Sequence, residues 1–103
     1  MRAVLRDVFG HRLHLTSERR QHILHEHPEL APYLRRLDEV FAAPDIVKQS
    51  RRDPQVYLYY RYEPDVLGGK YLLGVAGIGQ RSFVLTAYVT DTVKEGKQLW
   101  PRP

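Results

Sequence analysis

All five histidines of this 103-residue chain lie between positions 11 and 27, and three of them, His22, His25 and His27, fall within six residues. Imidazole is the side chain best placed to give and take protons near neutral pH, so a cluster of this kind points first to acid–base chemistry. On a helix advancing about 100° per residue, Ile23 and Leu24 define the buried arc. His27 falls between them in angle, His22 lies at the arc's edge, and His25 points furthest from the core. A metal site fits poorly. His22 and His25 share a face as i and i+3, but no third ligand is evident and the His-Glu-x-x-His signature is absent, so no metal or other cofactor is expected.

A second set of reactive groups sits on strand-like segments. Phe83 to Thr90 alternates, with Phe83, Leu85, Ala87 and Val89 expected on a buried side and Val84, Thr86, Tyr88 and Thr90 on the other. That second side aligns hydroxyls two residues apart, where a purely structural strand has little need of them. Tyr57, Tyr59 and Arg61 share one face of their segment; Val56, Leu58, Tyr60 and Tyr62 share the other. Arg61 and Lys70 flank the hairpin loop expected at Glu63 to Gly69. No hydrolase elbow, phosphate-binding glycine loop or dinucleotide fingerprint is present.

The elements that must position these groups are readable in outline. Ala3 to Phe9 and Arg12 to Leu15 suggest two strands around a Gly10-His11 turn. Thr16-Ser17-Glu18 is a helix start, and Pro28 should stop that helix at His27. Pro28 opens a second helix in which Leu30, Tyr33, Leu34, Leu37, Val40 and Phe41 form one stripe, ended by Pro44-Asp45. Strands follow: Ile46 to Ser50 as a short edge strand, Gln55 to Tyr62, and Lys70 to Ile78, which is apolar on both faces and hence central. Gly74 and Gly77 would mark a close approach or a bulge, and Leu99-Trp100-Pro101 would dock the tail. The order predicts an α+β protein, helices first and then an antiparallel meander.

Composition sets the outer bounds. The length fits one domain spanning residues 1–103, and 43% apolar with 27% charged residues is ordinary for a globular protein. No run approaches the ~20 apolar residues of a membrane helix, and no cysteine offers a disulfide, thiol nucleophile or thiolate ligand. A cytoplasmic protein with no membrane partner is the simplest expectation. The formal net charge is +4, arginine outnumbers lysine, and a cation surplus gathered on one face would attract phosphate.

Several short runs, taken in order, resemble a known family. They are Leu15-Thr16-x-Glu18-Arg19-x-x-His22-Ile23-x-x-x-His27-Pro28-Glu29-Leu30, then Pro44-Asp45-x-Val47-x-x-Ser50 and Leu58-Tyr59-Tyr60-Arg61. Gly69-Lys70-Tyr71-Leu72, Phe83-Val84-Leu85-Thr86-Ala87-Tyr88 and Lys94-x-Gly96-x-x-Leu99-Trp100 complete the series. Over about residues 15 to 102 the chain resembles phage-associated nucleases of the barnase–EndoU–colicin–RelE-like (BECR) fold, departing at Arg20, where members often carry an aromatic residue. The first hairpin has no counterpart in that family. The resemblance implies N-terminal helices on a four-stranded antiparallel sheet, so with its own hairpin the chain is expected to be an α+β fold of an N-terminal hairpin and two helices packed on a four-stranded antiparallel sheet. It also implies a metal-independent endoribonuclease whose site comprises His22, His27, Arg61, Lys70, Thr86 and Tyr88.

The chemistry is coherent on its own terms. RNA can be cut by its own 2′-hydroxyl if a protein removes one proton, supplies another and stabilises charge on the phosphate. A histidine would exchange protons, Arg61 or Lys70 would offset negative charge, and Thr86 and Tyr88 would donate to phosphate oxygens. RNA is then the expected partner. An antitoxin or immunity protein is a further one if the chain acts as a toxin, while a non-catalytic RNA- or protein-binding module on the same scaffold is the alternative.

Overall fold

The computed structural model describes residues 2–103, leaving aside the side chain of Arg2. The N-terminal hairpin forms from β1 (Arg2–Arg6) and β2 (Arg12–Thr16). Its first strand is shorter than the expected Ala3 to Phe9. The Asp7 carboxylate accepts the backbone N–H groups of Phe9 and His11 at 3.1 and 2.7 Å, which folds residues 7 to 11 into the turn. Helix α1 (Ser17–Glu26) starts where the hydroxyl cap predicts, with Thr16 Oγ1 accepting the N–H of Arg19 at 3.1 Å. It stops at His27, whose N–H still donates to the carbonyl of Ile23.

The expected second helix is really two pieces, a 3-10 stretch over Pro28–Arg36 and α2 (Leu37–Ala42). Pro32 lies inside the first piece, where its ring would clash with the carbonyl of Pro28 in an α-helix, and the tighter winding prevails there. The apolar stripe survives the change: Leu30, Leu37, Val40 and Phe41 are all buried.

Five strands complete the fold: β3 (Ile46–Gln49), β4 (Val56–Glu63), β5 (Lys70–Gly77), β6 (Ser82–Thr90) and β7 (Lys97–Trp100). Together with the hairpin they make one seven-stranded mixed sheet in the order β1-β2-β6-β5-β4-β3-β7, which corrects the expected four-stranded antiparallel sheet. Two additions account for the difference. The hairpin joins the meander through a short parallel pairing, Leu13 opposite Ser82 and His14 opposite Phe83. The tail docks as β7 on β3, so the segment expected at the edge lies between β4 and β7.

The helices cover one face only. Leu13, Leu15, Tyr59, Leu72, Ala76, Val84 and Ala87 pack there against Ile23, Leu30, Leu37, Val40 and Phe41. Gly74 is the expected close approach: a Cβ there would stand 2.5 Å from Phe41 Cζ. On the opposite face Leu58, Tyr60, Leu73 and Val75 form a second, smaller cluster with Tyr71, Tyr88 and Val93 at its margin.

Strand β6 contains the main correction to the sequence reading. Its pairing with β5 shifts between Val75 and Ala76, which face Thr86 and Val84 respectively, so Leu85 is an extra residue in a β-bulge. Before the bulge the alternation is inverted: Val84 is buried under the helices, whereas Phe83 and Leu85 are 39% and 36% exposed. After it, Ala87 is buried beneath the helices and Thr86 and Tyr88 take the open face, as their spacing suggested.

Candidate functional site

The open face carries a cleft of about 580 Å³. Its floor is apolar, made by Val56 and Leu58 of β4 and Val75 of β5, while β6 contributes Thr86 and Tyr88. Two loops form the walls. The β3–β4 loop brings Ser50, Arg51 and Arg52, and the β6–β7 loop brings Lys94 and Glu95.

Both loops are held in place by hydrogen bonds. Ser50 Oγ accepts the N–H of Arg52 at 3.2 Å and that of Asp53 at 3.4 Å, and Gln49 Nε2 donates to the carbonyl of Pro54 at 2.8 Å. The buried Tyr60 hydroxyl rises from the floor to accept the N–H of Lys94 at 3.1 Å. Burial holds the Tyr60 phenol above its usual pKa, so it stays protonated at neutral pH. Gly96 lies so close to the carbonyl of Gln49 that a Cβ would collide with it, which presses the second loop against β3.

The lining holds three cations, Arg51, Arg52 and Lys94, against the single carboxylate of Glu95. Arg51 and Glu95 approach to 3.4 Å across the mouth, both largely in solvent. A pair so exposed stabilises by less than about 1 kcal/mol, so a ligand anion can displace Glu95 with little loss.

Against Tyr88, one of the residues lining the cleft, stands His27. Because β2 pairs with β6 only as far as Phe83, no strand among the described residues neighbours the outer edge of β6 beyond that point, and α1 packs along β6 instead. The helix ends at His27, whose ring stacks on Tyr88 with centroids 4.9 Å apart and planes 27° apart. Its Nδ1 is 3.7 Å from a carboxylate oxygen of Glu29, and its side chain is 33% exposed.

Of the six expected site residues, Thr86 and Tyr88 line the cleft, and His27 joins them through its stacking on the Tyr88 ring. The others lie elsewhere. His22 is exposed, 4.0 Å from Glu26, and lines a separate shallow pocket with Thr16, Glu18 and Arg19. Arg61 alternates onto the helix-covered side with Tyr59, where its guanidinium donates to the carbonyl of Ala43 and meets Glu39 at 3.5 Å and Glu63 at 3.2 Å. It clasps α2 to β4. Lys70 is paired with Glu63 in register and reaches Asp91 at 3.5 Å. Neither cation faces the hydroxyl row.

The cations that do face it are Arg51, Arg52 and Lys94, which sequence reasoning did not single out. The Arg51-Arg52 doublet, seven and six residues ahead of the floor residue Leu58, was the available signal. Among the described residues no group of three histidine, aspartate or glutamate side chains is arranged to hold a metal ion, and no helix is long and apolar enough to cross a membrane.

Away from the cleft, Asp7 is fully buried at its side chain and accepts from Tyr59 Oη at 2.6 Å and from His11 Nδ1 at 2.8 Å. Burial first, and this bond second, drive the Tyr59 phenol far above its ordinary pKa. On the surface, the bidentate hydrogen bonds from Arg36 hold the carboxyl of Asp65 below its usual range. No family model, no curated protein and no solved structure matches the chain.

Proposed function

We propose that this chain is a metal-independent endoribonuclease acting at the open-face cleft. The observation that carries the reading is the stacking of His27 on Tyr88, which lines a cleft walled by Arg51, Arg52 and Lys94. A proton-exchanging ring, hydroxyl donors and a cation surplus are the three things RNA self-cleavage requires of a protein. The fold lends no further support, since the expected four-stranded sheet is not what the chain builds.

In this reading the phosphate lies over Thr86 and Tyr88, with Arg51 or Lys94 against its non-bridging oxygens. His27 removes the proton of the 2′-hydroxyl, and the oxygen attacks phosphorus. The P–O5′ bond breaks, giving a 2′,3′-cyclic phosphate, and the leaving oxygen takes a proton from water to become a 5′-hydroxyl end. The Tyr88 ring holds the imidazole in place. The apolar floor of Leu58 and Val75 is suited to the flat side of a sugar or base. If the chain acts as a toxin, a neutralising antitoxin would have to cover this cleft.

The test is incubation of purified protein with end-labelled single-stranded RNA in EDTA, with analysis of product termini. Cyclic phosphate ends are expected, and His27→Ala should lower the rate about 100-fold or more. An unchanged rate for His27→Ala, or loss of wild-type cleavage in EDTA, overturns the mechanism. Tight RNA binding with no cleavage under any condition would convert the protein into a binding module.

A further inference from the structure

The cleft is not the only cationic recess on the molecule. Where the β1–β2 turn meets the β5–β6 turn, a second pocket of about 300 Å³ opens, lined by His11, Arg12, His14, Arg81 and Ser82 among others. Its lining contains no carboxylate. Arg12 and Arg81 are exposed, and among the described residues neither forms an ion pair. The Arg81 guanidinium rests over the Phe83 ring, 5.8 Å from its centroid.

His11 is the most constrained member. Its Nδ1 is engaged by buried Asp7 at 2.8 Å, and its ring stands edge-on to Phe9 and Tyr57, with centroids 6.1 and 6.2 Å away. Asp7 thus takes the Nδ1 proton and leaves Nε2 as the polar atom available to a ligand, serving as a donor to phosphate only when the ring carries both protons. A locked imidazole beside two unpaired guanidinium groups suits a phosphate group.

The relation of this pocket to the cleft suggests whose phosphate it takes. Ser82 opens β6 at the pocket, and Thr86 and Tyr88 lie in the cleft farther along the same strand. Between them the bulge turns Phe83 and Leu85 outward, and both remain exposed. A single strand leaving the cleft along β6 meets an aromatic ring and then a cationic pocket, the pairing of stacking surface and charge that single-stranded nucleic acid uses.

We propose that the pocket at His11, Arg12 and Arg81 is a second phosphate subsite, holding the backbone of an RNA strand whose base stacks on Phe83. The inference rests on the reading of the cleft as an RNA site. It adds a determinant of substrate length: short RNAs occupy the cleft alone, and longer ones engage both sites.

The test uses 2′-O-methyl oligouridylates, which cannot be cleaved, so that binding is read apart from catalysis. Fluorescence anisotropy is measured for a dinucleotide and for a strand long enough to reach both sites. Arg12→Gln with Arg81→Gln should weaken the long oligonucleotide about tenfold or more and flatten its salt dependence by roughly 0.7 per lost phosphate contact, with the dinucleotide unaffected. Phe83→Ala should likewise weaken only the long strand, by about fivefold or more. Wild-type affinity and salt slope for the long strand in the double variant overturn the subsite while leaving the cleft reading intact. Conversely, dependence on Arg12 and Arg81 with none on Arg51 or Lys94 overturns the cleft reading and keeps the subsite. Failure of the wild type to bind either oligonucleotide overturns both.

Discussion

Replacing Tyr59 with phenylalanine removes one hydroxyl from the buried pair it forms with Asp7, and the outcome can be worked out at two pH values. The Asp7 carboxylate has no solvent access and accepts four hydrogen bonds, from Phe9 N, His11 N, His11 Nδ1 and Tyr59 Oη. Losing the tyrosine donor forfeits a bond to a charged group, about 1.5–3 kcal/mol, and the three remaining donors keep the loss within that range. For a domain of this size each kcal/mol moves the midpoint by roughly 4–8 °C, so Tyr59→Phe should melt about 10 °C lower near pH 7. At alkaline pH the difference should shrink. The Tyr59 and Tyr60 phenols both titrate above their usual value in the folded protein. Above a pH of about 10 the unfolded chain releases protons that the folded one retains, so stability falls as pH rises, by up to about 1.4 kcal/mol per pH unit for each tyrosine. Tyr59→Phe lacks one of these contributions. Urea unfolding followed by circular dichroism from pH 7 to 11 should therefore show the two proteins converging above pH 10. A gap that stays constant or widens would refute the burial of a protonated Tyr59 against Asp7.

Two further perturbations probe the scaffold beneath the cleft. Gly74→Ala places a methyl group 2.5 Å from Phe41 Cζ and should destabilise by about 1–3 kcal/mol in chemical denaturation, with Phe41→Leu recovering part of the loss by making room. Deleting Leu85 should be tolerated, because Val84 and Thr86 already occupy opposite faces and would become ordinary neighbours. The deletion should leave the far-ultraviolet circular dichroism spectrum native-like, and an unfolded product would show that the bulge is required.

Local signals were legible wherever one residue decides the outcome. The Thr16 cap, the stop at His27 ahead of Pro28, and the contact under Gly74 are fixed by groups adjacent in the chain or by a missing side chain. What was not legible depends on partners distant in sequence. Nothing in Arg12 to Leu15 says that two of its residues pair in parallel with a strand some seventy residues later, or that Lys97–Trp100 completes the far side. The bulge at Leu85 was hidden for a related reason. All of Phe83, Val84 and Leu85 are apolar, so hydrophobicity cannot say which of them faces in, and only the pairing with Val75 and Ala76 decides. Arg61 illustrates the opposite error. Its type suggested phosphate recognition, but Glu39, Glu63 and the Ala43 carbonyl occupy its donors on the helix-covered side.

The short parallel pairing and the bulge together explain why a site can exist on this sheet at all. An open sheet face with a fully paired β6 would present Thr86 and Tyr88 with no helix side chain able to reach them, because α1 packs on the other side. Pairing with β2 ends at Phe83, which leaves the outer edge of β6 to α1 and lets its terminal histidine stack on Tyr88 across that edge. A β-bulge also bends its strand and deepens its twist. Here it inverts the faces, directing Phe83 and Leu85 to solvent while Val84 and Ala87 stay in the core. Of the five large apolar side chains left exposed among the described residues, Leu67 lies in a loop, and Val4, Tyr62, Phe83 and Leu85 all alternate onto the face that no helix covers. Their placement matches that of Arg51, Arg52, Lys94, Arg12 and Arg81, the cations lining its two recesses. Apolar surface and unneutralised charge gathered on one side of a sheet are what a ligand with flat bases and a charged backbone requires.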